Sequence, residues 1–284
     1  MLKFLTFFWQ KFLYTTNTQK NMKIHAKKSL WQNFLQDETI CQTIASSIAV
    51  DRENIIEVWP GYGALTKLIL LQNPKALHLV ELDRDMIFLL EKAIEKGEIV
   101  TKDVDFQIHH QDILQFSPSF SDYSVIANIP YYITSPILSH FLYDINNKPK
   151  QMVIMMQKEV WEKILWGKKE KSSVLSLMIE KKCSVKKVTL VPKTAFFPAP
   201  KVDSIVLAFT LHDTYSEVDD TLFLQTIKKC FVEPRKTLQN NLLRSWYTLW
   251  EIQEIFSTFW FTQSIRAEDI SLDVFIKMSQ NLRK

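Results

Sequence analysis

The chain has 284 residues, 46% of them hydrophobic, which allows one large domain or two modest ones with an ample packed core. Its apolar stretches are broken by Lys, Gln or Asn before the length of a membrane span, and Cys41, Cys183 and Cys230 stand isolated, so a transmembrane helix, a disulfide scaffold and a structural zinc site are excluded and a reducing cytosolic setting fits. The net charge of +4 is uneven: residues 1–30 carry +6, residues 31–150 carry −7 and residues 151–284 carry +5, the pattern of an anionic partner met at the edges of a small-molecule domain.

The first twenty residues mix aromatics and Lys without an acid, but Lys3 and Lys11 interrupt any signal core and no small-residue cleavage site follows. Residues 1–21 therefore read as an extension or an early start, with Met22 a plausible true beginning. In DETICQTIASSIA (37–49), Ile40, Ile44 and Ile48 fall at helical spacing behind the cap Asp37. NIIEVWP (54–60) is a short β-branched run closed by Pro, hence a buried strand, and ALTKLILLQN is a helix. ALHLVELD (76–83) is a second strand, DMIFLLEKAIEKG an amphipathic helix ending at Gly97, DFQIHHQDIL holds a third strand and YSVIANIP (123–130) a fourth. Later strands are expected in QMVIMMQ (151–157) and SIVLAF (204–209). Strands alternating with helices predict an α/β fold, a parallel sheet covered on both faces. From about residue 218 the pattern is purely helical. The domain expectation is therefore an extension over 1–21, a parallel α/β domain over 22–212 and a small α-helical C-terminal domain over 213–284.

Ligands of open parallel sheets bind outside the carboxyl ends of the strands, so the polar residues there are the candidates for chemistry. The first strand ends in Glu57-Val-Trp-Pro-Gly-Tyr-Gly63, the second at Glu81 and Asp83, the third at Asp112 and the fourth at Asn128-Ile-Pro-Tyr131. Glu81, some twenty positions beyond the glycine turn, is placed to accept ribose hydroxyls. Each feature alone is weak, since a strand-end Asp often merely caps the next helix. Their order and spacing together carry the argument.

The chain resembles the small-subunit ribosomal RNA adenine dimethyltransferases, class I enzymes of Rossmann-like fold that use S-adenosyl-L-methionine. The resemblance runs from about His25 to Leu282 and rests on AKKSLWQNFL (26–35), EVWPGYGALT (57–66), VELDRDM (80–86), HQDIL (110–114), NIPYYITSPIL (128–138), MMQKEVWEKI (155–164), FFPAPKVDSIV (196–206), EPRKTLQNNL (233–242) and IRAEDISLDVF (265–275). It implies that Asn33, Leu35, Trp59, Gly61, Glu81, Asp112 and Asn128 line the cofactor site, with Asp112 at the cofactor's adenine amine.

For the reaction so implied, an exocyclic adenine amine is a poor nucleophile because its lone pair is delocalised into the ring. Two acceptors gripping both N–H groups restore sp³ character and aim the lone pair at the methyl. The Asn128 side-chain oxygen and the Ile129 carbonyl are the expected pair. Pro130 stiffens the turn, Tyr131 offers a π face to the target base, and Phe196 resembles the second aromatic wall. Positioning and desolvation then supply most of the acceleration, with no metal or strong base required. The base must leave any stack to enter such a pocket, so the substrate is expected to be a splayed loop adenine of folded RNA. Arg235, Lys236 and the cluster Lys168, Lys169, Lys171, Lys181, Lys182, Lys186 and Lys187 are the candidates for phosphate contacts, against the plainer reading of the cluster as solvated helix faces.

In places the chain departs from the family pattern. Trp31 and Trp59 stand where that pattern has glycine, Trp161 and Trp260 look like further cases, and glycine numbers only 4 in the chain against 8 tryptophans. Average usage near ~7% would give about 20 glycines. The reading that accounts for both is a source that decodes UGA as glycine, rendered here as tryptophan, against the alternative of genuine tryptophans in a divergent or inactive homologue.

The leading expectation is an enzyme that dimethylates two adjacent loop adenines near the 3′ end of small-subunit ribosomal RNA during assembly, cytoplasmic, monomeric and without a membrane partner. The alternatives are a large-subunit adenine methyltransferase of the antibiotic-resistance type, less well matched by FPAPKVDS, EPRKTLQNNL and IRAEDIS, and a non-catalytic RNA-binding assembly factor on the same fold.

Overall fold

The computed structural model describes residues 33–130, 133–169 and 171–281; the extension over 1–21, Trp31 and Tyr131 lie outside the described residues. The first half runs β1 (Phe34–Leu35), α1 (Glu38–Ala45), β2 (Asn54–Val58), α2 (Ala64–Leu70), β3 (Ala76–Glu81), α3 (Arg84–Glu95), β4 (Asp105–His110), β5 (Tyr123–Asn128) and α4 (Thr134–Ser139). It continues through β6 (Gln151–Gln157), α5 (Lys158–Lys169), α6 (Val174–Lys182), β7 (Cys183–Val191), β8 (Phe196–Phe197) and β9 (Ser204–Leu211). Four α-helices close it: α7 (Asp220–Cys230), α8 (Leu238–Arg244), α9 (Leu249–Phe259) and α10 (Leu272–Asn281).

Seven strands form one sheet in the order β4-β3-β2-β5-β6-β9-β7. The first five are parallel, β9 runs antiparallel to β6, and β7 antiparallel to β9. The chain thus builds outward from β2 to β4 and returns to the other side of β2 with β5, which leaves a crevice outside the carboxyl ends of those two strands. Both faces are covered, as the continuous apolar runs predicted. Successive residues of β2 and β5 feed opposite layers: Ile56, Val125 and Ala127 pack into one apolar cluster, Ile55 and Ile126 into the other.

The expected helix over 37–49 is shorter than its apolar spacing suggested. Asp37 caps it through a 3.0 Å bond from the Ile40 N–H, but the chain turns at Ser46, and Ile48 is buried outside the helix. Three strands escaped the sequence reading. β1 and β8 pair in a small separate sheet, with Leu35 opposite Phe196 and Phe34 opposite Phe197. β7 is an edge strand whose Lys186 and Lys187 are exposed, so the local charge marks a solvent-facing edge.

Lys181 corrects the expectation of a phosphate-binding cluster running from 168 to 187. Its side chain is 1% exposed and its Nζ is bound to the Val218 carbonyl at 3.0 Å and to Asp220 Oδ1 at 2.6 Å. It cannot reach an RNA backbone. Lys182 shares the same carboxylate, 2.6 Å from Asp220 Oδ2. These bonds tie α6 to α7, where Leu177 and Met178 join a third apolar cluster made mostly by the C-terminal helices. Among the described residues no helix is long and apolar enough to cross a membrane.

Candidate active site

The turn after β2 is shaped by three positions of positive φ: Trp59 at +54°, Gly61 at +57° and Gly63 at +86°. At Gly63 a Cβ would lie 2.8 Å from Ile99 Cδ1 and 3.1 Å from Leu90 Cδ2, so both backbone and packing require glycine there. The Trp59 N–H donates to the Val80 carbonyl at 3.1 Å, which fixes the start of the turn against β3. Tyr62 reaches across to β1, its hydroxyl donating to the Leu35 carbonyl at 3.1 Å and its ring 5.2 Å from that of Phe34.

Two buried carboxyls stand behind this turn. Glu81, ending β3, accepts from the Leu82 and Asp83 N–H groups at 2.8 and 2.9 Å through Oε1. Burial pushes its carboxyl up to about 7, with those backbone bonds opposing the rise. Glu57, inside β2, accepts from Thr66 Oγ1 at 2.7 Å, and burial pushes it further, to about 8, against that bond.

A cleft enclosing about 890 Å³, its solvent-facing side included, opens over the strand ends. Asn33, Leu35, Trp59, Gly61, Glu81, Asn128, Ile129, Pro130 and Phe196 all line it, so most of the sequence candidates for cofactor and base converge on one cavity. Asn128 ends β5 half-buried, and the next peptide is held in place by the Ile129 N–H, which donates to the Met155 carbonyl at 3.4 Å. Asp112 is not among the lining residues. It sits half-buried after β4 and caps a short 3-10 turn, accepting from the Leu114 N–H at 3.0 Å. Phe34, Tyr62 and Met86 also line the cleft and were missed. Phe34 is positioned by the pairing of the NFL and FFP segments, a non-local contact with no local signature in the sequence.

Of the candidate phosphate contacts, Arg235 and Lys236 are exposed between α7 and α8. Buried Asn241 shapes that loop, its Oδ1 accepting from the Glu233 N–H at 2.7 Å and its Nδ2 donating to the Glu233 carbonyl at 3.1 Å. Lys171 is exposed and ion-paired with Glu268. Lys168 and Lys169 lie at the end of α5, their side chains outside the described residues.

The model of the ribosomal RNA adenine dimethylase family matches residues 23–282. The chain belongs to that family. A ribosomal RNA small subunit methyltransferase A from Mycoplasma mobile is 36% identical over 89% of this chain and 97% of its own length, and one from Bacillus pumilus is 35% identical over 91% of both. The fold is that of solved methyltransferases. A dimethyladenosine transferase from Plasmodium falciparum superposes with a TM-score of 0.70 at 22% identity, covering 86% of this chain and 95% of that one. The 23S rRNA methyltransferase ErmE gives 0.65 at 20%, over 89% and 100%. S-adenosylmethionine is the methyl donor of the dimethylase family. The residues present fit its adenosine: a buried strand-end carboxylate for hydroxyls, a close-packed glycine turn, and the apolar side chains of Leu35, Leu82 and Met86 around the same space.

Proposed function

We propose that this dimethylase methylates the N6 amines of two adjacent loop adenines near the 3′ end of small-subunit ribosomal RNA during particle assembly, acting as a cytoplasmic monomer. The observation that carries the reading is the position of Asn128: at the carboxyl end of β5, beside Ile129 and Pro130, in the same cleft as Glu81 and Phe196. S-adenosylmethionine, when bound, supplies an already activated sulfonium methyl. Glu81 holds the ribose hydroxyls. The Asn128 side-chain oxygen and the Ile129 carbonyl accept hydrogen bonds from the amine N–H groups and orient the lone pair; as the N–CH3 bond forms the S–CH3 bond breaks and one amine proton passes to solvent, while Pro130 fixes that carbonyl and Tyr131 and Phe196 flank the base. In this reading Asp112 meets the cofactor's adenine amine from the rim of the cleft.

Arg235, Lys236 and Lys171, with Lys168 and Lys169, contact phosphates and supply salt-dependent affinity rather than sequence reading. Residues 22–212 then form the catalytic domain and 213–284 the RNA-docking domain. The Lys181–Asp220 pair is one of the contacts between these two segments. Incubation with labelled methyl donor and undermodified small subunits, followed by primer extension, tests the assignment: two adjacent stops near the 3′ end are expected. Stops on large-subunit RNA would replace this reading with the antibiotic-resistance type, and RNA binding without incorporation would replace it with an assembly factor.

A further inference from the structure

Three tryptophans occupy left-handed backbone: Trp59 at φ +54°, Trp246 at +67° and Trp260 at +56°. For an L-residue with a Cβ this region is strained, and the non-glycine residues that adopt it are mainly Asn and Asp. The remaining described cases fit that rule better, being Asn73, Asp103, Asp122 and Arg52. A bulky aromatic at three such positions needs a compensating contact or another explanation.

At two of the three positions there is none. Trp246 follows α8: its N–H donates to the Leu243 carbonyl and the Tyr247 N–H to the Leu242 carbonyl, both at 3.1 Å. Trp260 follows α9, where the Phe261 N–H donates to the Phe256 carbonyl at 2.9 Å and the Phe256 and Phe261 rings meet edge to face at 5.8 Å. Both helix ends carry the 6→1 backbone bond of a Schellman-type close, and the residue such an end takes at its left-handed position is glycine. The indoles gain nothing in return, since Trp246 is 92% exposed and Trp260 91% exposed. Position 59 is the third left-handed site, and there the side chain stands in the cofactor cleft itself. Trp161 lies within α5, packed against the sheet core, and Trp250 lies within α9. Neither carries this backbone signature.

We infer that in the protein made by its own cells residues 59, 246 and 260 are glycine, because the codon rendered here as tryptophan at those positions is decoded there as glycine. At 246 and 260 the left-handed backbone favours glycine independently of any function. At 59 it has a functional consequence that rests on the methyl-donor reading of the cleft: with glycine, the volume of the indole becomes available to the cofactor.

Peptide mass spectrometry of the chain purified from its own source decides the residue identities. Trypsin releases residues 53–67, which contain position 59, and residues 245–266, which contain 246 and 260. Glycine masses are expected at all three positions, and a tryptophan mass at any of them overturns the inference. Recombinant Trp246→Gly and Trp260→Gly provide a second readout with an unusual sign. Each is expected to raise the melting temperature by about 2 °C or more, whereas tryptophans that stabilise the fold would give a fall and overturn the backbone argument. For Trp59→Gly, calorimetry with S-adenosylhomocysteine is expected to show binding at least about tenfold tighter. Glycine masses with unchanged affinity at 59 would leave the decoding intact and overturn the occlusion of the cleft.

Discussion

Thr66 Oγ1 donates a 2.7 Å hydrogen bond to Glu57 Oε2 in the interior of the protein. The other oxygen, Oε1, has no partner among the described residues. A lone buried carboxylate oxygen is costly to keep charged, and burial accordingly pushes Glu57 to about 8 from an ordinary 4.5. The folded chain therefore holds a proton that the unfolded chain releases above about 4.5. The corresponding stability is full below that pH and is lost as pH rises toward about 8. Glu57→Gln is expected to change stability little at pH 5 and to raise it by at least about 1 kcal/mol at pH 8. Urea unfolding at both pH values checks this; an equal difference at the two would mean that Glu57 is ionised throughout.

Glu81 titrates for the same reason but faces the cleft. Its carboxyl, pushed up to about 7 by burial, accepts hydrogen bonds from hydroxyls best when ionised. Affinity for S-adenosylhomocysteine is expected to increase as pH rises from 6 to 8, and Glu81→Gln to bind about tenfold more weakly at pH 8 with that pH dependence flattened. Calorimetric titrations of both proteins across this range measure it. A slope retained in Glu81→Gln would assign the titration to another group.

The parallel core was legible because Ile55, Ile56, Val125 and Ile126 are buried on both sheet faces, and continuous β-branched runs have few other destinations. Glu81, Asn128 and the glycine turn were legible because topology alone places strand ends at a shared crevice. What the sequence hid was long-range. The pairing of Leu35 with Phe196 joins segments about 160 residues apart, and nothing local in either two-residue strand announces it. Lys181 misled for a related reason: inside a run of lysines it looks solvated, and only the arrival of Asp220 from the next helical segment makes its burial tolerable.

That Lys181–Asp220 pair should be visible in folding. Burial works against the Asp220 anion, but the bonds from Lys181 and Lys182 prevail and hold its carboxyl below the ordinary value of 3.8. Its contribution is present above the ordinary carboxylate range and is lost as pH falls through the lower folded value. Asp220→Asn leaves a buried ammonium with the Val218 carbonyl and is expected to destabilise the fold by about 3 kcal/mol at neutral pH. Adding Lys181→Met should recover much of the loss, because the stranded charge is gone. Denaturant midpoints of the single and double variants test this, and a double variant weaker than the single would rule out charge burial as the cause.

Asn128 and Phe196 line one cleft but should separate in kinetics. Asn128 acts on the amine as it becomes a nucleophile, so Asn128→Ala is expected to lower kcat roughly 10²-fold with little change in the KM for RNA. Phe196 acts by stacking, a contact worth about 1–3 kcal/mol per base and made equally in the ground state, so Phe196→Ala should raise the KM for RNA about tenfold or more and leave kcat nearly intact. Phe196 is also buried and packs with the layer that holds Leu35, so Phe196→Tyr, which keeps the π face, is the companion variant and should restore KM. Steady-state methylation of undermodified small subunits supplies both constants. Equal losses of kcat in the Asn128 and Phe196 variants would place the two residues in a single structural role and remove the base sandwich from the mechanism.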